Sequence, residues 1–387
     1  MLENLEPAKP VRTKSDVRPG VEFDGTDGVA VTPGYTTEPA NFDEFLIEAG
    51  FDPDTIEVIG DLRTSRWQQQ KDGELVWLTS YRFHFRRKTA IVNLPLLLAE
   101  AKRRVKPKPI TSPGNRALVV LWSDLQVGKV DHRGGLTEFV ERVELMQSRL
   151  VALVKREKPD RIVFVDCGDT IEGFSNKASQ HQLQSNDLSL MEQVDLATTY
   201  AWQTLKILVA LVPDITYASV GSNHCQWRSG GQQIGKKTDD WGVHIGRQLA
   251  RLASEQELPI RFVEPQAHDE SLCLDVFGDG FHRLGIVHGH QAGGNADSVA
   301  TWWRKQAFGR QPVSDSSILV HGHFHHLRVT ELGSTTTGGS RFLIGAATLD
   351  NGSNWFRTSG GGEDSVPGLV CFALEQGVDY TGTVWKL

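Results

Sequence analysis

The chain has 387 residues, 39% hydrophobic and 23% charged, which is enough for a packed core and about two to three domains. No apolar run approaches the roughly 18 residues of a membrane span, and the first residues lack the layout of a secretory leader, so a cytoplasmic protein is expected. A net charge of −7 excludes a global basic field, and four cysteines without a Cys-x-x-Cys pair exclude a zinc ribbon or a disulfide scaffold.

Residues 1–20 are polar, carry three prolines and read as a disordered tail. Residues 21–94 read as a small α+β accessory module. Asn41 to Gly50 suits a short helix, with Asn41 as its cap and Glu44 three residues on. Asp72-Gly73 suits the turn of a hairpin, in whose second arm Trp77, Thr79, Tyr81, Phe83 and Phe85 alternate with Leu78, Ser80, Arg82 and His84. Residues 95–116 read as a helix and a basic, Pro-rich linker. From Arg82 to Lys108 there are nine Lys/Arg and one acid, Glu100. Such a stretch serves either as a solubilising linker or as a strip against a phosphate backbone.

After Arg116 the pattern becomes α/β, over residues 117–387. Ala117 to Trp122 and Ile162 to Val165 are continuous apolar runs, as strands buried on both faces require. Phe139, Val143, Met146, Leu150 and Leu153 recur at helical spacing between them. A helix is expected over 188–212, a strand over Ile215 to Val220 and a helix over 239–254. Strands near 260–264, 271–277 and 283–288, a helix near 297–308 and a strand at Ile318 to His321 follow. Ser359 to Gly362 reads as a surface loop. Strands that alternate with helices early and follow one another late suggest a mixed-sheet sandwich.

Polar residues gather where these strands end, which is where open α/β sheets place ligands. In order they are Asp124 and Gln126, Asp169, Asn223 and His224, His288 with His290, and His323 with His325. Seven of the 13 histidines lie between His282 and His326. Taken singly, an Asp after a strand is usually a turn former and an Asn-His pair a loop. Five strand ends that present carboxylate, carboxylate, amide, His and His-x-His together point to a metal site. Oxygen and imidazole donors without thiolate suit Mn, Mg, Fe, Ni or Zn. Two such ions about 3.5–4 Å apart clamp a phosphate and activate water.

This ordered set resembles the calcineurin-like metallophosphoesterase superfamily, whose pattern is Asp-x-His, Gly-Asp, Gly-Asn-His-Asp/Glu, His and Gly-His-x-His. The Trp302 to Arg310 stretch adds a likeness to exonuclease-like metallophosphoesterases of actinobacterial bacteriophages, which would place the protein in a host cytoplasm. The resemblance implies an αββα sandwich with mixed sheets and a metal-dependent phosphoric ester hydrolase. It implies two divalent ions, with manganese foremost. Asp124, Gln126 and His325 would hold the first, Asn223, His288 and His323 the second, and Asp169 would bridge them. His224 would face the phosphate, as charge stabiliser or acid. The site departs from the pattern at Gln126, where a His is usual, and at Cys225, where an acid is usual. Cys225 reads as a buried thiol, Glu172 as a partner of the site or a surface carboxylate, and His290 stays open as the alternative to His288. Arg228, Lys236, Lys237, Trp303 and Arg304 are candidate substrate contacts. A phosphodiesterase or nuclease acting on DNA or other nucleic acid is the expected function. The alternatives are a phosphoesterase on a small nucleotide or phosphoprotein, and a metal-binding protein without turnover.

Overall fold

The structure is a computed structural model that describes residues 19–387 except 24–26, 52, 54–55, 72, 88–93, 110–113, 175–184, 230–231, 355–356 and 358–364. Most of the expected tail and the Ser359–Gly362 loop lie outside the described residues. The chain divides into two compact units, Met1–Ile91 and Val92–Leu387.

In the first unit, β1 (Gly20–Phe23), β2 (Asp27–Val31), β3 (Ile56–Lys71) and β4 (Glu74–Arg87) form an antiparallel sheet in the order β1-β2-β4-β3. Its apolar cluster joins Leu46 of α1 (Asp43–Glu48) to Ala30, Phe83 and Phe85, with Phe42, Phe45 and Phe51 packed around them. The period of two puts Tyr81, Phe83 and Phe85 inside and Arg82 and His84 outside. Trp77 belongs to the same alternation yet is 49% exposed. A six-residue helix is about 9 Å long and covers only a fraction of strands that reach about 45 Å. Asn41 sits one residue too early to cap α1. Its Oδ1 accepts from Asp43 N at 3.2 Å, and Phe42 holds the cap position.

The second unit opens with α2 (Leu94–Lys102). There follow β5 (Arg116–Trp122), α3 (Leu136–Glu157), β6 (Arg161–Asp166), α4 (Leu190–Leu211), β7 (Asp214–Ser219), the short pair β8 (Arg228–Ser229) and β9 (Gln232–Gln233), α5 (Trp241–Glu255) and β10 (Ile260–Val263). Then come β11 (Ser271–Asp275), β12 (Arg283–Val287), α6 (Ser298–Phe308), β13 (Ile318–His321), β14 (Arg328–Ser334), β15 (Ser340–Gly345), β16 (Val370–Glu375) and β17 (Trp385–Lys386). One sheet has the order β10-β7-β6-β5-β16-β17, parallel from β10 to β5; the other has the order β11-β12-β13-β15-β14, parallel from β12 to β15.

Alternate residues of each central strand serve different layers. Ala117, Val119, Leu121, Val163 and Val165 of the first sheet pack with Leu284, Ile286, Ile318, Val320 and Ile344 of the second. Leu118, Val120, Trp122, Ile162 and Phe164 pack with α3, α4 and α5. Val287, Leu319 and Leu343 pack with Val299 and Trp303 of α6. The layers are thus three helices, two sheets and one helix, with both sheets covered on both faces. That is why residues 117–122 of β5 and 162–165 of β6 are apolar. Burying each Val, Leu, Ile or Phe there contributes roughly 1.5–3 kcal/mol. Ser189 caps α4 by a reciprocal pair with Glu192, and Asp240 caps α5 by accepting from Val243 N.

The chain reaches β5 at the end of the sheet opposite to the strand ends read above. Lys206 Nζ donates to Glu100 O (2.7 Å) and Lys108 N to Val209 O (2.9 Å). Gln256, which caps the C-terminus of α5, donates to Ala101 O. Lys206, Val209 and Gln256 lie late in, or just past, helices that lead into the starts of β7 and β10. The Lys102–Lys108 stretch therefore lies at the starting ends of the parallel strands.

Candidate metal centre

The two sheets deliver their strand ends to one place. Asp124 follows β5, Asp169 follows β6 and Asn223-His224 follows β7; from the other sheet come His288 after β12 and His323-x-His325 after β13. The sheets are tied there directly. Asp124 Oδ1 accepts from His323 N (3.0 Å), and His288 Nδ1 donates to Cys167 O (2.8 Å).

The backbone is strained at this place. Among the described residues eight non-glycines have positive φ, and five of them are Asp124, Gln126, Asp169, His323 and His325. Such conformations cost about 1–3 kcal/mol each and persist where surrounding structure enforces them, typically at functional sites. Close approach adds a second constraint. A Cβ at Gly322 would lie 2.4 Å from Asp124 Oδ2, and one at Gly168 would lie 2.8 Å from His288 Nδ1, at a φ of +97°.

One group of donors is assembled. Asp169, His288 and His323 each offer a ligand atom within 4.8 Å of the others, the one such group among the described residues. Asn223 Oδ1 joins it at 3.0 Å from His288 Nε2, and Asp169 Oδ2 lies 3.0 Å from the same nitrogen. His288 donates Nδ1–H to Cys167 O, which fixes the ring and leaves Nε2 as the ligating atom. His290 stands beside the group with its ring 5.4 Å from that of His288 and its Nε2 3.2 Å from Gln226 Nε2. Of the two candidate histidines, His288 is the one in the group. Burial opposes the charge on Asp169, but His288 and His224 outweigh it and hold the carboxyl well below the usual range. Burial opposes charge on His288 as well, and Asp169 overcomes it to draw the pKa up to about 9. Burial and the neighbouring His288 push His323 down to about 3, a neutral ring with one nitrogen lone pair to offer. Four oxygen and nitrogen donors in this arrangement fit a divalent ion.

The other expected group is engaged elsewhere. Asp124 accepts from Ser123 Oγ and from His323 N, and its Oδ1 lies 3.3 Å from His325 Nε2. His325 Nδ1 lies 3.4 Å from Asp350 Oδ2. Gln126 Oε1, the only atom of that side chain able to ligate, accepts from Lys129 Nζ at 2.5 Å. Lys129 Nζ also donates to Asp350 Oδ2 at 2.7 Å. Burial disfavours the ammonium of Lys129, but Asp350 and Glu172 raise its pKa instead, so the charge stays. Burial likewise disfavours the Asp350 carboxylate, and Lys129 holds it down at about 2.

His224 faces the assembled group. Its Nδ1 lies 2.9 Å from Glu172 O and 3.3 Å from Glu172 Oε2, and its Nε2 lies 3.9 Å from Asp169 Oδ2. Glu172 is 4% exposed and so is no surface carboxylate. It orients the His224 ring through Nδ1. Cys225, the residue after Asn223-His224, is a fully buried thiol whose Sγ faces Ile171 O at 3.9 Å.

The expected substrate contacts divide. Arg228 donates to Gln226 Oε1 (2.7 Å) and so belongs to the rim around His290. Lys237 is paired with Glu270 and donates to Gln233 Oε1 (2.9 Å), while Lys236 and Arg304 are exposed. Trp303 is a correction. It is 3% exposed and gives its indole N–H to Val313 O at 2.9 Å, because it anchors α6 to the second sheet. Between the rim residues Gln226 and Arg228 the chain carries Trp227, 50% exposed and T-shaped against Trp241. Sequence reasoning passed over Trp227, Lys129 and Asp350. Asp350 follows β15, so the strand-end rule could have found it.

No protein-family model matches the chain, and no curated protein matches it. Solved structures similar to it include a protein of unknown function from Aquifex aeolicus, at 14% identity over 55% of this chain and 81% of that one, with a TM-score of 0.23. Another is a Staphylococcus aureus protein provisionally described as a 5'-nucleotidase in complex with alpha-ketoglutarate, at 10% identity over 60% of this chain, with a TM-score of 0.26. The chain spans about half of that protein, 49% of its length. At these scores the functional reading rests on the site's own geometry. Among the described residues, no helix is long and apolar enough to cross a membrane.

Proposed function

We propose that the chain is a metal-dependent phosphoester hydrolase of the calcineurin-like metallophosphoesterase type, a nuclease-like phosphodiesterase acting on nucleic acid. The observation that carries this reading is the Asp169, His288, His323 and Asn223 donor group with His224 facing it. Asp169, Asn223, His288 and His323 would hold a divalent ion. Manganese is the ion we favour, since half of the donors are oxygen. When bound, the ion supplies positive charge at the phosphoryl oxygens and lowers the pKa of water.

The chain's own residues supply the rest. His224 Nε2 faces the group and is placed to give a proton to the leaving oxygen, while Glu172 at Nδ1 stabilises the imidazolium. Asn223, Arg228 and His290 surround the phosphate position with polar groups. Trp227 offers a face on which a base can stack, an interaction worth about 1–3 kcal/mol per base in single-strand binders.

A single nucleotide is the second reading of the substrate. It is favoured by the Lys102–Lys108 stretch, which lies at the starting ends of the strands and so does not supply the phosphate contacts expected beside the metal centre. The deciding experiment is a hydrolysis panel on chelator-treated enzyme, resupplied with Mn, Mg, Ni or Zn. The panel holds nitrophenyl mono- and diesters, nucleotides, and single- and double-stranded DNA and RNA. Metal-dependent cleavage of diesters and polynucleotides is expected. Cleavage confined to nucleotides selects the second reading, and no metal-dependent hydrolysis defeats both.

A further inference from the structure

We propose that the centre takes one divalent ion, and that Lys129, locked to Asp350, occupies the coordination chemistry of the other half. The proposal rests on the metal-dependent reading above and refines it. The two-ion expectation needs three donors besides Asp169: a carboxylate oxygen of Asp124, the amide oxygen of Gln126 and a ring nitrogen of His325. The amide oxygen is the weakest of them, and it is the one the structure removes. Lys129 Nζ sits 2.5 Å from it and has no acceptor capacity, so the atom facing it is the oxygen. The NH2 of Gln126 is thereby turned the other way, to 3.3 Å from His224 Nε2. An NH2 group donates and does not ligate. In this orientation Gln126 offers no ligating atom to an ion.

His325 is held in the same way. One ring nitrogen faces Asp124 Oδ1 and the other faces Asp350 Oδ2. Asp350 is the hub of this half: its Oδ2 takes Lys129 and His325, and its Oδ1 accepts from Gly352 N at 3.0 Å. The side chains of Lys129 and Asp350 are 9% and 0% exposed. A buried pair of this kind is expensive to break, because either partner alone is an uncompensated charge. A second cation placed among Asp124, Gln126 and His325 would compete with an ammonium already there and would have to turn the amide away from it. The positive charge that a second ion would bring is already built into the chain.

The test is the number of ions, not the rate. Metal-free full-length protein is titrated with Mn by calorimetry. Retained Mn is counted by elemental analysis after gel filtration, and the spin coupling is read by electron paramagnetic resonance. One Mn per chain with an uncoupled spectrum is expected. Two Mn per chain, or a coupled pair, overturns the proposal and leaves the hydrolase reading standing. No retained Mn overturns both. The Gln126→His/Lys129→Ala double variant restores an imidazole and removes the ammonium, and should raise the count from one to two. A folded double variant, checked by circular dichroism, that still binds one overturns the role given to Lys129. If the double variant does not fold, the wild-type count decides alone.

Discussion

On one side of the site, Asp169, Asn223, His288 and His323 turn their donor atoms toward one another; on the other, Asp124 Oδ1 and His325 Nε2 still face each other, but Lys129 takes the Gln126 oxygen and Asp350 faces the second ring nitrogen of His325. Both halves are built at strand ends from similar residue types, and each includes positive-φ residues: Asp169 and His323 in one, Asp124, Gln126 and His325 in the other. They differ in the residues behind the donors. His288 is backed by a backbone carbonyl, which fixes the ring and leaves Nε2 available. Gln126 is backed by an ammonium, which takes the only ligating atom it has. A donor's residue type states what it can bind, and its partners decide whether it is available to bind.

The largest effect that would test this contrast is at Asp169. Asp169→Asn should lose the bound ion and reduce hydrolysis to background, because the assembled half loses its only carboxylate. Elemental analysis of the folded variant checks it; a retained ion removes Asp169 from the ligand set. Next, His288→Ala and His325→Ala should differ. The first should abolish metal binding, while the second should keep the wild-type number of ions and lose activity mainly through the orientation of Asp124. Equal loss of metal in the two variants would erase the distinction between the halves.

A smaller effect is expected at His224, which the proposed reading puts on the phosphate side and outside the ligand set. His224→Ala should keep the metal and slow turnover by about 10²–10⁴-fold, the usual range for a general acid. The loss should shrink on nitrophenyl esters, whose leaving group needs no proton. Glu172→Gln, which leaves His224 in place with a weaker partner, should cost less than His224→Ala. An equal loss on both substrate types would make His224 a stabiliser of charge instead.

The sequence showed the framework of this half well, for physical reasons. Strands buried on both faces must be apolar throughout, so β5 and β6 stand out. Turns at strand ends must carry the polar residues, so the ligands fall out in order. What it hid depends on contacts remote along the chain. Lys129 and Asp350 are 221 positions apart, and neither is remarkable alone. Glu172 was ambiguous until its burial was seen. Trp303 was read as a substrate contact, because helical spacing shows which tryptophan sits on α6 but not which one a neighbouring layer covers. Charge density singled out Arg82 to Lys108, whereas the position of its Lys102–Lys108 part follows from hydrogen bonds to the late turns of α4 and the cap of α5.

The smallest expected effect compares two buried aspartates, one behind each half. Asp240 accepts from Ser222 N (2.9 Å) and Val243 N (3.1 Å), and so holds the loop that carries Asn223 and His224. Burial raises its pKa to about 7, the two backbone bonds only partly offsetting it, and no ion pair to it is present among the described residues. Asp350 is equally buried, but Lys129 holds its pKa at about 2. The two therefore respond to pH with opposite signs. The raised pKa of Asp240 means that the folded state binds a proton the unfolded state has released above its ordinary value of 3.8, so stability falls as pH rises from there to about 7. The depressed pKa of Asp350 contributes stability that is fully present above 3.8 and is lost only as pH falls toward about 2. Urea unfolding of metal-free protein at pH 5 and pH 8 separates them. Asp240→Asn should gain on wild type by about 2 kcal/mol between those values, a scale set by about 1.4 kcal/mol for each tenfold change in proton affinity. Asp350→Asn should be less stable than wild type at both, and more so at pH 5, where the unpaired Lys129 is charged. The first difference reports a carboxylate buried without a cation, and the second one buried with it. If Asp350→Asn were instead as stable as wild type at both values, Lys129 would not be compensating Asp350, and the half of the site built from Asp124, Gln126 and His325 would lose the built-in cation assigned to it.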